Sequence, residues 1–197
     1  MTTYFCMRHG VTDWNRESRI QGTEDISLSE EGREMVRKWA GTLADGGLEC
    51  ILTSSLGRAK ETAAIINEKL GLPIHEDTRL GEQDWGEWTG LTKEDLKQIR
   101  KQVKQQEYKG FDFCPPKGES RNDVLMRTCD ALIDFSEEHP DKSVLVVTHN
   151  GVLKCLAYAL TGLEFMPNDP DPLEAYRLHR IECLENELAP GQFNMEL

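Results

Sequence analysis

Short apolar runs alternate with stretches of helical period along almost the whole of this 197-residue chain, and that alternation restricts the fold more than any other feature. Parallel strands need a long crossover between them, usually a helix, and the sheet they build is covered on both faces. Tyr4–Met7 reads as a first strand. Ser27-Leu28-Ser29-Glu30 then offers capping hydroxyls, with Glu30 three residues after Ser27, and Met35, Val36, Trp39 and Leu43 recur at helical spacing until Asp45-Gly46-Gly47 stops the pattern. Leu48–Ser54 predicts a second strand, and Leu56–Leu70 a helix with Ala59, Ala63, Ile66 and Leu70 on one side and Gly71 as its stop. Residues 74–80 read as a short strand that brings Glu82 to the sheet edge. Thr92–Gly110, with Leu96, Ile99 and Val103 spaced for one face, reads as an amphipathic surface helix. Pro115-Pro116-Lys117-Gly118 breaks the chain before a helix that contains Val124, Met126, Arg127, Ala131 and Phe135. Val144–Val147 predicts a buried strand, Val152–Leu160 a helix and Tyr176–Leu184 a terminal strand. The expected fold class is α/β, with a mostly parallel sheet in one domain spanning residues 1–197 and no internal repeat.

Composition narrows the function classes. A formal charge of −12 disfavours nucleic acid and anionic membranes as partners, because both are bound through cationic patches. No stretch approaches the roughly 20 apolar residues of a membrane span, and the first residues lack a basic-then-apolar export pattern, so a cytoplasmic enzyme is expected. The six cysteines form no Cys-x-x-Cys pair and no zinc-like spacing, which predicts reduced, mostly structural thiols.

Chemistry is concentrated in four places. Arg8-His9-Gly10 ends the first apolar run, where an imidazole can act as a covalent nucleophile and a guanidinium offers a rigid fork to phosphate oxygens. Thr53-Ser54-Ser55-Leu56-Gly57-Arg58-Ala59 supplies a second arginine in the first turn of a helix, where unpaired N–H groups favour an anion. Leu80-Gly81-Glu82-Gln83-Asp84-Trp85-Gly86-Glu87-Trp88 supplies carboxyl groups, and Val144-Leu145-Val146-Val147-Thr148-His149-Asn150-Gly151 a second histidine. A phosphate monoester carries up to two negative charges, so catalysis of its cleavage is chiefly positioning plus fixed positive donors. Arg8 and Arg58 disfavour the protonated form of His9 and so prepare it to attack. Glu82 can give a proton to the leaving alkoxide and afterwards activate water.

Competing signatures fail. No cysteine has an arginine at the Cys-x5-Arg offset, Asp169-Pro170-Asp171-Pro172 reads as a rigid loop, and no Gly-x-x-x-x-Gly-Lys-Ser/Thr segment is present. Trp14, Trp85 and Trp88 are expected to pack, and His75, His139 and His179 to be ordinary surface or strand residues.

The order and context of these pieces resemble the histidine phosphatase superfamily, the phosphoglycerate-mutase-like enzymes, over residues 1 to about 165. Arg8-His9-Gly10-Val11-Thr12-Asp13-Trp14-Asn15 is similar to that family's Arg-His-Gly-x-Thr-x-x-Asn, and Arg19-Ile20-Gln21-Gly22 with Asp25 follows as it usually does there. Val11, Ile26-Ser27-Leu28-Ser29 and Asn150 depart from the pattern without removing a reacting group. The resemblance implies a three-layer α/β/α sandwich with a mixed central sheet and no metal or cofactor. It implies His9 as the phosphorylated nucleophile, through the ring nitrogen far from the backbone, and Glu82 as proton donor. Arg8, Arg58 and His149 would hold the phosphoryl group, Asn15 would add a side-chain contact, Gln21 and Gly22 would lie beside the substrate, and Asn150 would bear on substrate preference. The expected activity is hydrolysis of small phosphate monoesters by a phosphohistidine route, because the Asp84–Gly90 context resembles the phosphatase branch. The alternatives are a phosphoglycerate mutase and a non-catalytic phosphate sensor. Residues 92–118 are expected to set substrate specificity, either as a solvated face or as a lid whose lysines meet a second anionic group. The sequence does not name the monoester or the oligomeric state.

Overall fold

The computed structural model describes all 197 residues and shows a six-stranded sheet with seven α-helices around it. In chain order the strands are β1 (Thr2–Arg8), β2 (Cys50–Ser54), β3 (Ile74–Asp77), β4 (Ser143–Thr148), β5 (His179–Leu184) and β6 (Glu187–Pro190), arranged β3-β2-β4-β1-β5-β6. β3, β2, β4 and β1 run parallel, whereas β5 and β6 add an antiparallel edge. The helices are α1 (Asp13–Arg16), α2 (Glu30–Leu43), α3 (Gly57–Leu70), α4 (Lys93–Gln98), α5 (Arg100–Glu107), α6 (Arg121–Glu138) and α7 (Asn150–Leu160). No helix is long and apolar enough to cross a membrane.

Strand alternation divides the core in two. Tyr4, Cys6, Leu52, Val144 and Val146 face Leu132 and Phe135 of α6 and Leu153 and Leu156 of α7. Their neighbours Met7, Ile51, Leu145 and Val147 face Val36, Trp39 and Leu43 of α2 and Ala59, Ala63 and Ile66 of α3. Each central strand thus buries both faces, which is why β2 and β4 read as unbroken apolar runs.

Local differences from the sequence reading have identifiable causes. The α2 cap is Ser29, whose hydroxyl accepts from the Gly32 N–H, because Leu28 is still held in a bridge to Thr12. Residues 78–80 form a 3₁₀ turn after β3, opened by the Asp77 carboxylate accepting from the Arg79 N–H. The expected single helix over Thr92–Gly110 is two, broken at Ile99, where φ is −106° and ψ is 21°. Residues 187–190 form a sixth strand that the sequence reading lacks. Its hairpin turns through Glu185 and Asn186, both with positive φ, instead of a glycine-bearing turn.

Candidate active site

Parallel pairing sets Arg8 of β1 opposite Thr148 of β4, so the residues that follow, His9 and His149, leave adjacent strand ends together. The helices after these strands depart to opposite faces of the sheet, α2 to one and α7 to the other, which opens a crevice at the strand ends. The two imidazole centroids stand 5.2 Å apart with their planes inclined by 57°.

The His9 Nδ1 atom lies 2.7 Å from the carbonyl oxygen of Gly10. A carbonyl only accepts, so Nδ1 carries the ring hydrogen and Nε2 keeps a lone pair. Arg58 Nε donates to that lone pair at 3.2 Å. Burial, then the charges of Arg8 and Arg58, hold the His9 imidazole well below the ordinary histidine range, so the ring is neutral at physiological pH. The Gly10 N–H donates to Thr62 Oγ1, whose own hydroxyl donates to the Arg58 carbonyl, and these bonds tie the turn after β1 to α3.

Arg58 is wholly buried, and its fork donates to the carbonyls of Glu24 at 2.6 Å and Gly22 at 2.7 Å. Gly22 has φ of +52°, a conformation that favours glycine and that turns this carbonyl onto the guanidinium. At the N-terminus of α3 one of the expected donors is already taken: Asp25 accepts from the Gly57 N–H at 2.8 Å, and a Cβ on residue 57 would come within 2.5 Å of that carboxylate oxygen.

His149 caps α7, with Nε2 2.8 Å from the Ser54 hydroxyl. That hydroxyl accepts from the Leu56 N–H, and His149 Nε2 is the acceptor within reach of its own hydrogen. Nδ1 of His149 therefore carries a proton, and this buried donor has no protein partner. Burial first, then the neighbouring His9 ring, which cannot share a second proton, and the charges of Arg58 and Arg8, keep this ring neutral too. Arg8 Nε is a second buried donor without a partner, and its guanidinium lies 5.4 Å from the centroid of Tyr176. Orphaned buried donors are costly, and two beside a neutral imidazole fit an anionic ligand.

Glu82 follows the 3₁₀ turn after β3. Its Oε1 accepts from the Gln83 N–H at 2.8 Å and its Oε2 from the Gly151 N–H at 3.2 Å, so the carboxyl group rests on the first turn of α7, where the helix dipole favours it. Gly151 permits this approach, since a Cβ there would stand 2.3 Å from Oε1. Arg127 braces the segment from α6 by donating to the carbonyls of Arg79 and Glu82 and to the Glu119 carboxylate.

A cleft of about 320 Å³ opens over these groups. Arg8, His9, Asn15, Gln21, Gly22, Arg58, Glu82 and Asn150 all line it, while His149 lies fully buried against His9. The Asn15 carbonyl is taken by the Thr12 N–H and hydroxyl in the α1 capping box, and the buried Gln21 Oε1 has no partner. Sequence reasoning missed several contributors. Ser54 lay inside a quoted segment without a role, while Thr62, Gly151 and Tyr176 act through contacts 52 to 168 residues away that no spacing rule reveals. Arg19, Trp85, Arg121 and Lys154 also line the cleft. Trp85, expected only to pack, has one side on it.

The family model for histidine phosphatase superfamily (branch 1) matches residues 4–192. PhoE of Bacillus subtilis, named an uncharacterized phosphatase, is 33% identical over 186 residues, 94% of this chain and 88% of its own. Among solved structures, YhfR of Bacillus stearothermophilus superposes with a TM-score of 0.88 at 30% identity, covering 100% of this chain and 98% of that one. A mycobacterial glucosyl-3-phosphoglycerate phosphatase solved with VO3 gives a TM-score of 0.84 at 27% identity, covering 98% and 99%. Relatives named phosphoglycerate mutase match as well. With the expected sandwich observed and the family model spanning nearly all of it, the chain belongs to the histidine phosphatase superfamily, branch 1.

Proposed function

We propose that this protein hydrolyses small phosphate monoesters through a covalent phosphohistidine on His9. The observation that carries this reading is a neutral His9 Nε2 lone pair held beside two unpartnered donors, Arg8 Nε and His149 Nδ1, in a cleft that also contains Glu82. Relatives named as phosphatases support hydrolysis as the outcome.

In the first step Nε2 attacks phosphorus and the P–O bond to the alcohol breaks. Arg58 Nε must release the lone pair it covers and donate to a phosphoryl oxygen instead, which couples substrate entry to exposure of the nucleophile. Arg8, Arg58 and His149 hold the phosphoryl oxygens while charge builds on them, and Asn15, Gln21, Gly22 and Asn150 border the ester. Glu82, protonated, gives its proton to the departing alkoxide. As a carboxylate it then takes a proton from water, whose oxygen attacks phosphorus and frees phosphate, returning Nε2 to its starting state. Guanidinium groups meet the phosphoryl charge without calling on a metal.

The net charge of −12 speaks against nucleic acid and membrane as partners; a small phosphorylated metabolite meets the same repulsion, so Arg8 and Arg58 must concentrate positive charge locally to draw it in. Six cysteines in the free thiol form support a cytoplasmic setting. We assign residues 1–197 to one catalytic domain in which residues 92–118 set specificity.

The test is a rapid-mixing experiment with a phosphorylated-metabolite panel, quenched in alkali. The expected result is an acid-labile, alkali-stable phosphoryl group on residue 9 together with free phosphate. Label on serine, aspartate or cysteine refutes the mechanism, and isomerised ester in place of phosphate establishes the mutase. Loss of turnover with unchanged phosphate binding in His9→Ala is expected for the enzyme; a wild-type chain that binds without turning over is a sensor.

A further inference from the structure

The cations that line the catalytic cleft are Arg8, Arg19, Arg58, Arg121 and Lys154, none of them a lysine of residues 92–118, and they differ in what holds them. Arg19 donates to the Gly90 carbonyl and the Glu17 carboxylate, Arg58 to the carbonyls of Glu24 and Gly22, Arg121 to those of Gly110 and Phe165, and Lys154 to the Asp171 carboxylate. The Arg8 side chain makes no hydrogen bond and no ion pair with the protein, and its buried Nε is without a partner. What its guanidinium does meet is the ring of Tyr176, whose centroid stands 5.4 Å from Cζ. An aromatic face suits this task. A carboxylate beside Arg8 would cancel its charge and occupy donors that a phosphoryl group needs, whereas a ring attracts the cation through its quadrupole and leaves the N–H donors unspent.

The sheet and the C-terminal tail together fix where that ring stands. β1 and β5 pair antiparallel with Cys6 opposite His179, and carried on by three residues the same register sets Tyr176 level with His9. Tyr176 has a φ of +57°, uncommon for an aromatic residue and kept only where the surroundings impose it. The tail imposes it here. Leu178 and Met195 exchange backbone hydrogen bonds of 3.0 and 2.9 Å, and the Glu174 N–H donates to Asn194 Oδ1 at 2.7 Å. Tyr176, Met195 and Leu197 pack on the core face that contains Trp39 of α2, with the Tyr176 and Trp39 rings 6.1 Å apart.

We propose that Tyr176 is a positioning residue: clamped by the C-terminal tail, its ring holds the Arg8 guanidinium at the cleft with its donors free for the phosphoryl oxygens. This deepens the phosphatase reading and rests on it for the identity of the anion. It also brings residues 174–197 into a site whose proposed phosphoryl contacts otherwise come from Arg8, Arg58 and His149.

The deciding experiment is a double-mutant cycle read as equilibrium binding of inorganic phosphate, by calorimetry or, for weak binders, by phosphorus NMR titration, so its outcome does not depend on turnover. Tyr176→Leu is expected to weaken phosphate binding roughly five- to tenfold, the effect of losing a partly desolvated contact between a cation and an aromatic face. Tyr176→Phe keeps the ring and is expected to restore the affinity. In an Arg8→Ala background the residue at position 176 should cease to matter, an outcome that a merely structural role for the tyrosine does not produce. Tyr176→Met repeats the comparison if the leucine variant does not fold. Equal affinity with and without the ring, a phenylalanine variant as weak as the leucine one, or a loss that persists undiminished without Arg8 overturns the proposal. Turnover is assayed separately on the wild type: a chain that binds phosphate and releases none from any ester defeats the hydrolytic reading while the cycle still decides the role of Tyr176.

Discussion

Replacing Gly151 with alanine perturbs the proposed proton donor, Glu82, and almost nothing else. The new Cβ would stand 2.3 Å from Glu82 Oε1 and 3.2 Å from its carboxyl carbon, but these atoms are the far end of a flexible side chain, so the carboxyl group moves and the backbone stays. Stability is expected to change little. Alanine in the first turn of α7 gains roughly 0.5–1 kcal/mol over glycine in helix propensity, and loss of the carboxylate from that helix end costs about 0.3–1 kcal/mol. Activity is expected to change much more, because a catalytic group displaced by about 1 Å can lose on the order of 100-fold, about 2.7 kcal/mol in barrier. The assay compares kcat/KM for an alkyl phosphate with that for 4-nitrophenyl phosphate. This constant stops at departure of the alcohol, and nitrophenolate leaves without a proton. The alkyl ester is expected to lose about 100-fold and the nitrophenyl ester less than roughly fivefold, with a burst of nitrophenol because water activation by Glu82 is also impaired. Equal losses for the two esters, or no loss with an unchanged melting temperature, would refute Glu82 as the proton donor.

Arg58→Ala is expected to lower kcat by roughly 100-fold or more, and Arg58→Lys to recover little, since a lysine cannot reproduce the fork that meets Gly22, Glu24 and His9; a near-normal rate in steady-state assay refutes this. Because His9 is held well below the ordinary histidine range, kcat/KM should show no acid limb near pH 6.5, and a limb there in the pH profile contradicts the neutral buried imidazole. The same depression has a stability sign. The unfolded chain takes up protons below about pH 6.5 that His9 and His149 refuse when folded, so stability is complete above that pH and falls as pH drops, at most about 1.4 kcal/mol per pH unit for each ring. A urea midpoint in phosphate-free buffer that is no lower at pH 5 than at pH 7 refutes it. Hydrolysis should persist after dialysis against chelator; loss restored by added metal contradicts the guanidinium mechanism.

Much of this architecture was legible because local and global signals agree. Val144–Val147 and Leu48–Ser54 are short apolar runs, and the observed strands fall at Ser143–Thr148 and Cys50–Ser54. Leu56–Leu70 carries a clean apolar face and a left-handed glycine stop, and the helix is Gly57–Leu70 with Gly71 at φ of +63°. The break at Ile99 was invisible, since Leu96, Ile99 and Val103 keep helical spacing across it and neither glycine nor proline marks it. The β5–β6 hairpin was hidden by a Glu185-Asn186 turn and by the shortness and exposure of its second strand, which ends on Pro190. His179 sits in β5 as a strand residue but is buried, accepting from the Asn194 N–H, a long-range contact that its neighbours in sequence do not announce. Of the candidate site, the residues that the structure gathers at the strand ends could be listed from the chain, whereas the hydrogen on His149 Nδ1 follows only once Ser54 is found 2.8 Å away.

Arg8 and Thr148 face one another across a ladder whose rungs are backbone amides, so the spacing of the His9 and His149 rings is inherited from peptide geometry. A graft that exchanges the 92–118 segment for one of different shape is therefore expected to leave those two rings in register.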